Sequence, residues 1–121
     1  MLDHISMGFS DLERSKAFYD KTLQAIGIER LYSEGGEFFG YGAHKKAFFR
    51  IGLKPSAITG VHVAFAVPDR AAVDRFYAAA VGAGGRDNGK PGLRPYRPYY
   101  YRAFVLDPDG HNTEAVCRHA A

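Results

Sequence analysis

Tryptophan is absent from this 121-residue chain, cysteine occurs once, and no apolar run reaches the length that spans a bilayer. With Cys117 alone, an intramolecular disulfide is excluded, and a soluble protein of a reducing, cytoplasmic compartment is expected. Cys117 sits in an apolar terminal stretch and reads as a small buried hydrophobe. No signal-peptide core opens the sequence, so no membrane partner is expected. The formal charge is only +3, and no helix-turn-helix, zinc-finger or RNP pattern accompanies it, which argues against nucleic acid as a partner. Nine Phe and eight Tyr within a 46% hydrophobic composition supply a core and exclude disorder.

The chain is organised around a short alternating stretch that occurs twice. Leu2-Asp3-His4-Ile5-Ser6-Met7-Gly8-Phe9-Ser10-Asp11 returns as Gly60-Val61-His62-Val63-Ala64-Phe65-Ala66-Val67-Pro68-Asp69. At a constant offset of 58 residues, His4 meets His62, Asp11 meets Asp69, Phe18 and Tyr19 meet Phe76 and Tyr77, and Gly27 meets Gly85. A register kept through a strand, a cap and a helix reads as internal duplication. Shared packing needs would account for the aromatics and glycines but not for a histidine at the same place twice. Alternation sets Ile5, Met7 and Phe9 on one face and His4, Ser6 and Gly8 on the other, and likewise separates Val63 and Phe65 from His62, Ala64 and Ala66. Each histidine is therefore surrounded on its face by small side chains, which is how a pocket is built.

Each copy continues in the same way. Ser10 or Asp11 caps a helix whose apolar positions include Phe18, Tyr19, Leu23 and Ile26, and Gly27 ends it. Strands are expected over residues 28–33, 37–42 and 47–53, giving βαβββ, with a linker at about 55–59. In the second half Asp69 caps a helix carrying Val73, Phe76, Tyr77, Ala80 and Val81. A short strand near 86–88, a long loop over 89–98 as a substrate-facing lid, and strands over 99–106 and 111–118 follow, the last two joined by an Asp107-Pro108-Asp109-Gly110 type I turn. The expected architecture is one α+β domain over 1–121, built from βαβββ modules at about 1–54 and 60–118 whose curved mixed sheets enclose a cleft. Exposed sheet edges and an open face make a homodimer the expected state.

Three side chains offer chemistry: His4, His62 and Glu114, the last in mid-strand where a closed, unpaired face would make a carboxylate costly. Two imidazoles and a carboxylate suit Zn, Mn, Fe, Ni or Co and leave positions open for a substrate. The alternative is structural, with His62 hydrogen-bonded and Glu114 paired to Arg50, Arg102 or Arg118.

Asp3-His4, the helix start over 11–19, the restart at Gly60-Val61-His62 and the closing Leu106-Asp107-Pro108-Asp109-Gly110-His111-Asn112-Thr113-Glu114 together resemble the vicinal oxygen chelate superfamily. That superfamily holds glyoxalase I, methylmalonyl-CoA epimerase, extradiol dioxygenases, fosfomycin-resistance thioltransferases and bleomycin-resistance proteins. The resemblance implies glyoxalase-like paired modules and a divalent metal ion on His4, His62 and Glu114. A fourth ligand in glyoxalase I and the epimerase comes from the last strand of the first module, which here reads Ala47-Phe48-Phe49-Arg50-Ile51-Gly52-Leu53 without acid, histidine or glutamine. The thioltransferases often carry a tyrosine where this chain has Phe104, and extradiol enzymes add an acid-base histidine for which only His44 or His111 is available, each expected in a turn or at the surface.

Two activities are consistent with the resemblance. In the first, a metal-dependent enzyme of lyase, isomerase, thiol transferase or dioxygenase type acts on a small oxygenated substrate, with Glu114 and Ser6 at the reacting end and Arg97, Tyr100, Arg102 and Phe49 against the substrate. In the second, a metal-free protein of the bleomycin-resistance kind holds a small molecule between Phe38, Phe48, Phe49 and the tyrosines.

Overall fold

Asp11 and Asp69 each end a strand in extended backbone and start a helix, their carboxylates accepting from the N–H groups of Arg14 at 3.1 Å and Ala72 at 2.8 Å. The computed structural model describes residues 5–34, 38–53, 61–95 and 98–120. Its elements are β1 (Ile5–Phe9), α1 (Leu12–Gln24), β2 (Glu29–Glu34), β3 (Phe38–Ala43), β4 (Lys46–Leu53), β5 (His62–Ala66), α2 (Arg70–Gly82), β6 (Arg86–Leu93), β7 (Tyr101–Leu106) and β8 (Asn112–Cys117). They form two four-stranded mixed sheets, ordered β1-β4-β3-β2 and β5-β8-β7-β6. In each sheet the first strand pairs in parallel with the last, and the remaining pairs are antiparallel. The duplicated βαβββ order is thus the architecture of the chain.

Helices cover one face of each sheet, because the bulky alternate residues of the strands can be buried only there. In the first half Phe9, Tyr41 and Phe49 pack around Tyr19 of α1; in the second, Phe65 packs on Phe76 of α2. The halves share one core, since the rings of Phe49 and Phe65 meet at 5.6 Å and α1 packs on α2. Gly85 shows how close that packing is. A Cβ there would fall 2.5 Å from Val105 and 2.7 Å from the ring of Phe18, so no side chain fits. Among the described residues no helix is long and apolar enough to cross a membrane.

One stretch departs from the sequence expectation. A short strand followed by a lid was expected over 86–98, whereas β6 runs on to Leu93. Its pairing with β7 slips between Asp87 and Gly89 and again between Gly89 and Gly92. β6 is the outermost strand, where a missing proline N–H at Pro91 and glycine bulges are tolerated, so a composition typical of a loop is carried as an irregular strand.

The turn after β7 does more than reverse the chain. Asp107, 2% exposed, accepts a 2.6 Å hydrogen bond on Oδ2 from the Tyr19 hydroxyl, while its Oδ1 accepts from the N–H groups of Asp109 and His111 at 2.9 Å. Asp109 in turn accepts from the Ser10 hydroxyl and lies 3.7 Å from Arg14. The start of α1 is thereby fastened to the second module. His111, expected in a turn or at the surface, is instead buried: it lies edge-on to Phe9, and its Nδ1 accepts from the Val61 N–H at 3.3 Å.

Burial, reinforced by the adjacent Asp107 charge, raises the pKa of Tyr19 well above its ordinary 10.0. A raised folded pKa means that this stabilising share is complete below the unfolded value and is lost as pH climbs towards the folded one. Tyr19→Phe is expected to cost about 1–3 kcal/mol near neutral pH, because Asp107 loses a buried donor. Above about pH 10 the gap from wild type should shrink by roughly 1.4 kcal/mol per pH unit, as wild type alone carries the penalty for keeping Tyr19 protonated. Urea titrations at neutral and alkaline pH check this, and a gap that does not change with pH would contradict it.

Candidate functional site

Parallel pairing of β5 with β8 sets Ala64 beside Glu114 and His62 beside Asn112, and antiparallel pairing of β7 sets Phe104 opposite Glu114 and Arg102 opposite Val116. All these side chains rise from the sheet face that α2 leaves uncovered. Glu114 lies at its centre and is only 1% exposed. His62, half exposed, brings Nε2 to 2.7 Å from Glu114 Oε1, and Arg102 brings Nε to 3.0 Å from Oε2. The Arg102 guanidinium lies 3.5 Å from the centre of the Tyr100 ring, and the Arg118 guanidinium lies 5.1 Å from the same centre. Phe104 meets the imidazole of His62 edge-on at 6.0 Å.

Of the residues singled out from sequence, His62, Glu114, Arg102 and Tyr100 are therefore brought together. Among the three arginines considered as partners of Glu114, Arg102 is the one that reaches it. His4 and Arg97 lie outside the described residues. Ser6 is exposed on the other sheet, where it pairs across to Arg50. Phe49 is fully buried against Tyr19, Tyr41 and Phe65, and its edge reaches an apolar hollow of about 200 Å³ between the halves, lined also by Ile5, Phe48, Ala64 and Ala66. Ala64 belongs to the face of Glu114, so the hollow adjoins the polar cluster. His44 has a backbone φ of 53° in the turn between β3 and β4 and takes no part.

The donor chemistry fits a divalent cation. An imidazole nitrogen and a carboxylate converge, and Glu114 Oε2, completely buried, accepts no well-aligned hydrogen bond among the described residues despite its ion pair with Arg102. No group of three metal-binding side chains occurs among the described residues, so a bound cation would need a third donor from outside them.

Comparison with known proteins decides the family. Residues 1–115 match the Glyoxalase/Bleomycin resistance protein/Dioxygenase superfamily. The chain belongs to that superfamily. A glyoxalase/bleomycin resistance protein from Albidiferax ferrireducens T118 is 30% identical, with 96% of this chain and 97% of that one covered and a TM-score of 0.82. A family enzyme from Burkholderia phytofirmans PsJN, at 20% identity, covers 97% and 98% with a TM-score of 0.75. The lactoylglutathione lyase of Agrobacterium tumefaciens, at 16% identity, covers 97% and 92% with a TM-score of 0.70. The last two establish the shared fold alone. Comparison with curated proteins finds no match.

The ion pair has a measurable weight. Arg102→Ala strands a buried carboxylate and is expected to lower stability by about 3–5 kcal/mol. In a Glu114→Gln background the same change should cost at least about 1 kcal/mol less, the remainder being lost stacking on Tyr100. Urea unfolding of the four proteins reads the coupling, and strictly additive losses would remove the charge pair from the account.

Proposed function

We propose that this chain is a metal-dependent enzyme of the glyoxalase and dioxygenase kind, with His4, His62 and Glu114 holding a divalent cation and a small oxygenated molecule as substrate. The observation that supports this reading is the 2.7 Å approach of His62 Nε2 to Glu114 Oε1 at the centre of an uncovered sheet face. When bound, such a cation supplies Lewis acidity to adjacent substrate oxygens. The chain's own residues do the rest. Arg102, stacked on Tyr100, holds Glu114 through Oε2, while Oε1 meets the nitrogen of half-exposed His62. Arg97 and Tyr100 orient an anionic group of the substrate, Ser6 touches its oxygens from the first sheet, and Phe49 contributes to the apolar wall. A homodimer covers the open faces, and the free thiol of Cys117 suits the reducing cytoplasm.

A second reading, a metal-free small-molecule binder, is favoured by one observation: Arg102 already neutralises Glu114. Element analysis of protein purified without chelator separates the two. The enzyme reading expects about one equivalent of Zn, Mn, Fe, Ni or Co per chain in wild type and a trace in Glu114→Ala, with a metal-induced rise in Tm in wild type alone. Metal-free wild type whose Tm ignores all five ions would leave the binder.

A further inference from the structure

Arg50 lies in the middle of β4, with Ser6 of β1 on one side and Gly40 of β3 on the other. The 58-residue offset maps Ser6 onto Ala64, and Ala64 is the residue paired with Glu114. Arg50 therefore occupies in the first sheet the place that Glu114 occupies in the second. The duplicated scaffold carries a cation at one of its two equivalent points and a carboxylate at the other.

The surroundings of the two differ as much as their charges. Glu114 has Arg102 and His62 against it. The Nε of Arg50 is buried without a hydrogen-bond partner, and no ion pair satisfies the guanidinium among the described residues. Its cross-strand neighbours are a serine and a glycine, neither of which brings negative charge. Gly40 has to be a glycine because the ring of Tyr32 lies across it, with a Cβ there falling within 2.1 Å of Tyr32 Cε1. Two residues along β4, on the same face, Phe48 lines the apolar hollow that Ala64 closes from the second sheet. Neither Arg50 nor Glu114 lines the hollow itself; Arg50 is two residues from Phe48 on one side of it, and Glu114 is paired with Ala64 on the other.

We propose that Arg50 is an oxyanion-recognition site, binding the carboxylate or phosphonate of a small amphiphilic molecule whose apolar part lies against Phe48 in the hollow. A buried guanidinium N–H that finds no acceptor among the described residues can be completed by a charged acceptor from outside, and a carboxylate or phosphonate matches its donor geometry. The site does not depend on a bound metal. It would hold equally if the protein is a metal-free binder.

Benzoate, phenylphosphonate and neutral benzamide are suitable probes, titrated into metal-stripped, 15N-labelled protein while the arginine Nε–H resonances are followed. The Arg50 resonance, assigned by its loss in Arg50→Lys, is expected to move with one or both anions and not with benzamide. Arg50→Gln should weaken anion binding at least tenfold. The proposal is overturned if benzamide binds as tightly as benzoate, or if Arg50→Gln binds both anions as wild type does. Anion binding that appears only after metal is restored and survives in Arg50→Gln would assign the anion to the metal centre instead. Lack of metal in purified protein, which would remove the enzyme reading, leaves the expected Arg50 shift unchanged.

Discussion

Parallel pairing of the first strand with the last is the constraint on which each half depends. A parallel neighbour cannot be reached by a tight turn, so a crossover has to intervene; here it is a helix and two further strands, which supply the cover and the outer sheet. Because paired residues project to the same side, the pairing also decides which side chain of the last strand stands beside the small residues of the first. Ser6 receives Arg50 and Ala64 receives Glu114. The polar groups of the open faces are therefore consequences of strand register, set before any ligand is present.

What aligns one half with the other is a second, buried device. Asp107 gathers a tyrosine hydroxyl from the first module and two backbone N–H groups from its own turn, while Asp109 holds the start of α1. Burial raises the pKa of Asp107, and the hydrogen bonds from Tyr19 and the backbone oppose that rise, so the carboxylate is kept in an apolar setting by its donors. With Phe18 pressed on Gly85 and Phe49 on Phe65, the helices and the sheet edges have little freedom to slide.

The repeat, both caps, both helices and the face of Glu114 were legible because they rest on local rules: alternation, a capping aspartate, a terminating glycine. His62, Glu114, Arg102 and Tyr100 were within reach for the same reason, since strand alternation alone puts Glu114 on the Asn112 and Val116 side. Choosing Arg102 over Arg50 or Arg118 as partner required the register between β7 and β8, which no single strand encodes. The extent of β6 was hidden by its glycines and proline, whose loop character is overruled at a sheet edge. His111 was misplaced because a histidine next to a turn resembles a surface residue, whereas Phe9 from the other module packs edge-on against it. Arg50 was visible in the sequence only as a possible partner of Glu114 and as part of a strand lacking a fourth ligand. Its equivalence to Glu114 needs the parallel registers of both sheets.

The charges on the open faces constrain the ligand whichever activity the chain has. Arg102 is paired with Glu114, and Arg50 has no ion pair among the described residues; Arg94, lying over Phe104, and Arg118, lying over Tyr100, carry the same sign. These guanidinium groups put positive charge near the apolar hollow, and a divalent cation on Glu114 would add to it. A cationic guest, such as a basic antibiotic, would therefore meet repulsion from the first sheet and a carboxylate already occupied on the second. An apolar molecule ending in an oxyanion, the ligand proposed above, would meet the opposite situation, with an apolar wall for its body and a buried guanidinium N–H that has no hydrogen-bond partner among the described residues.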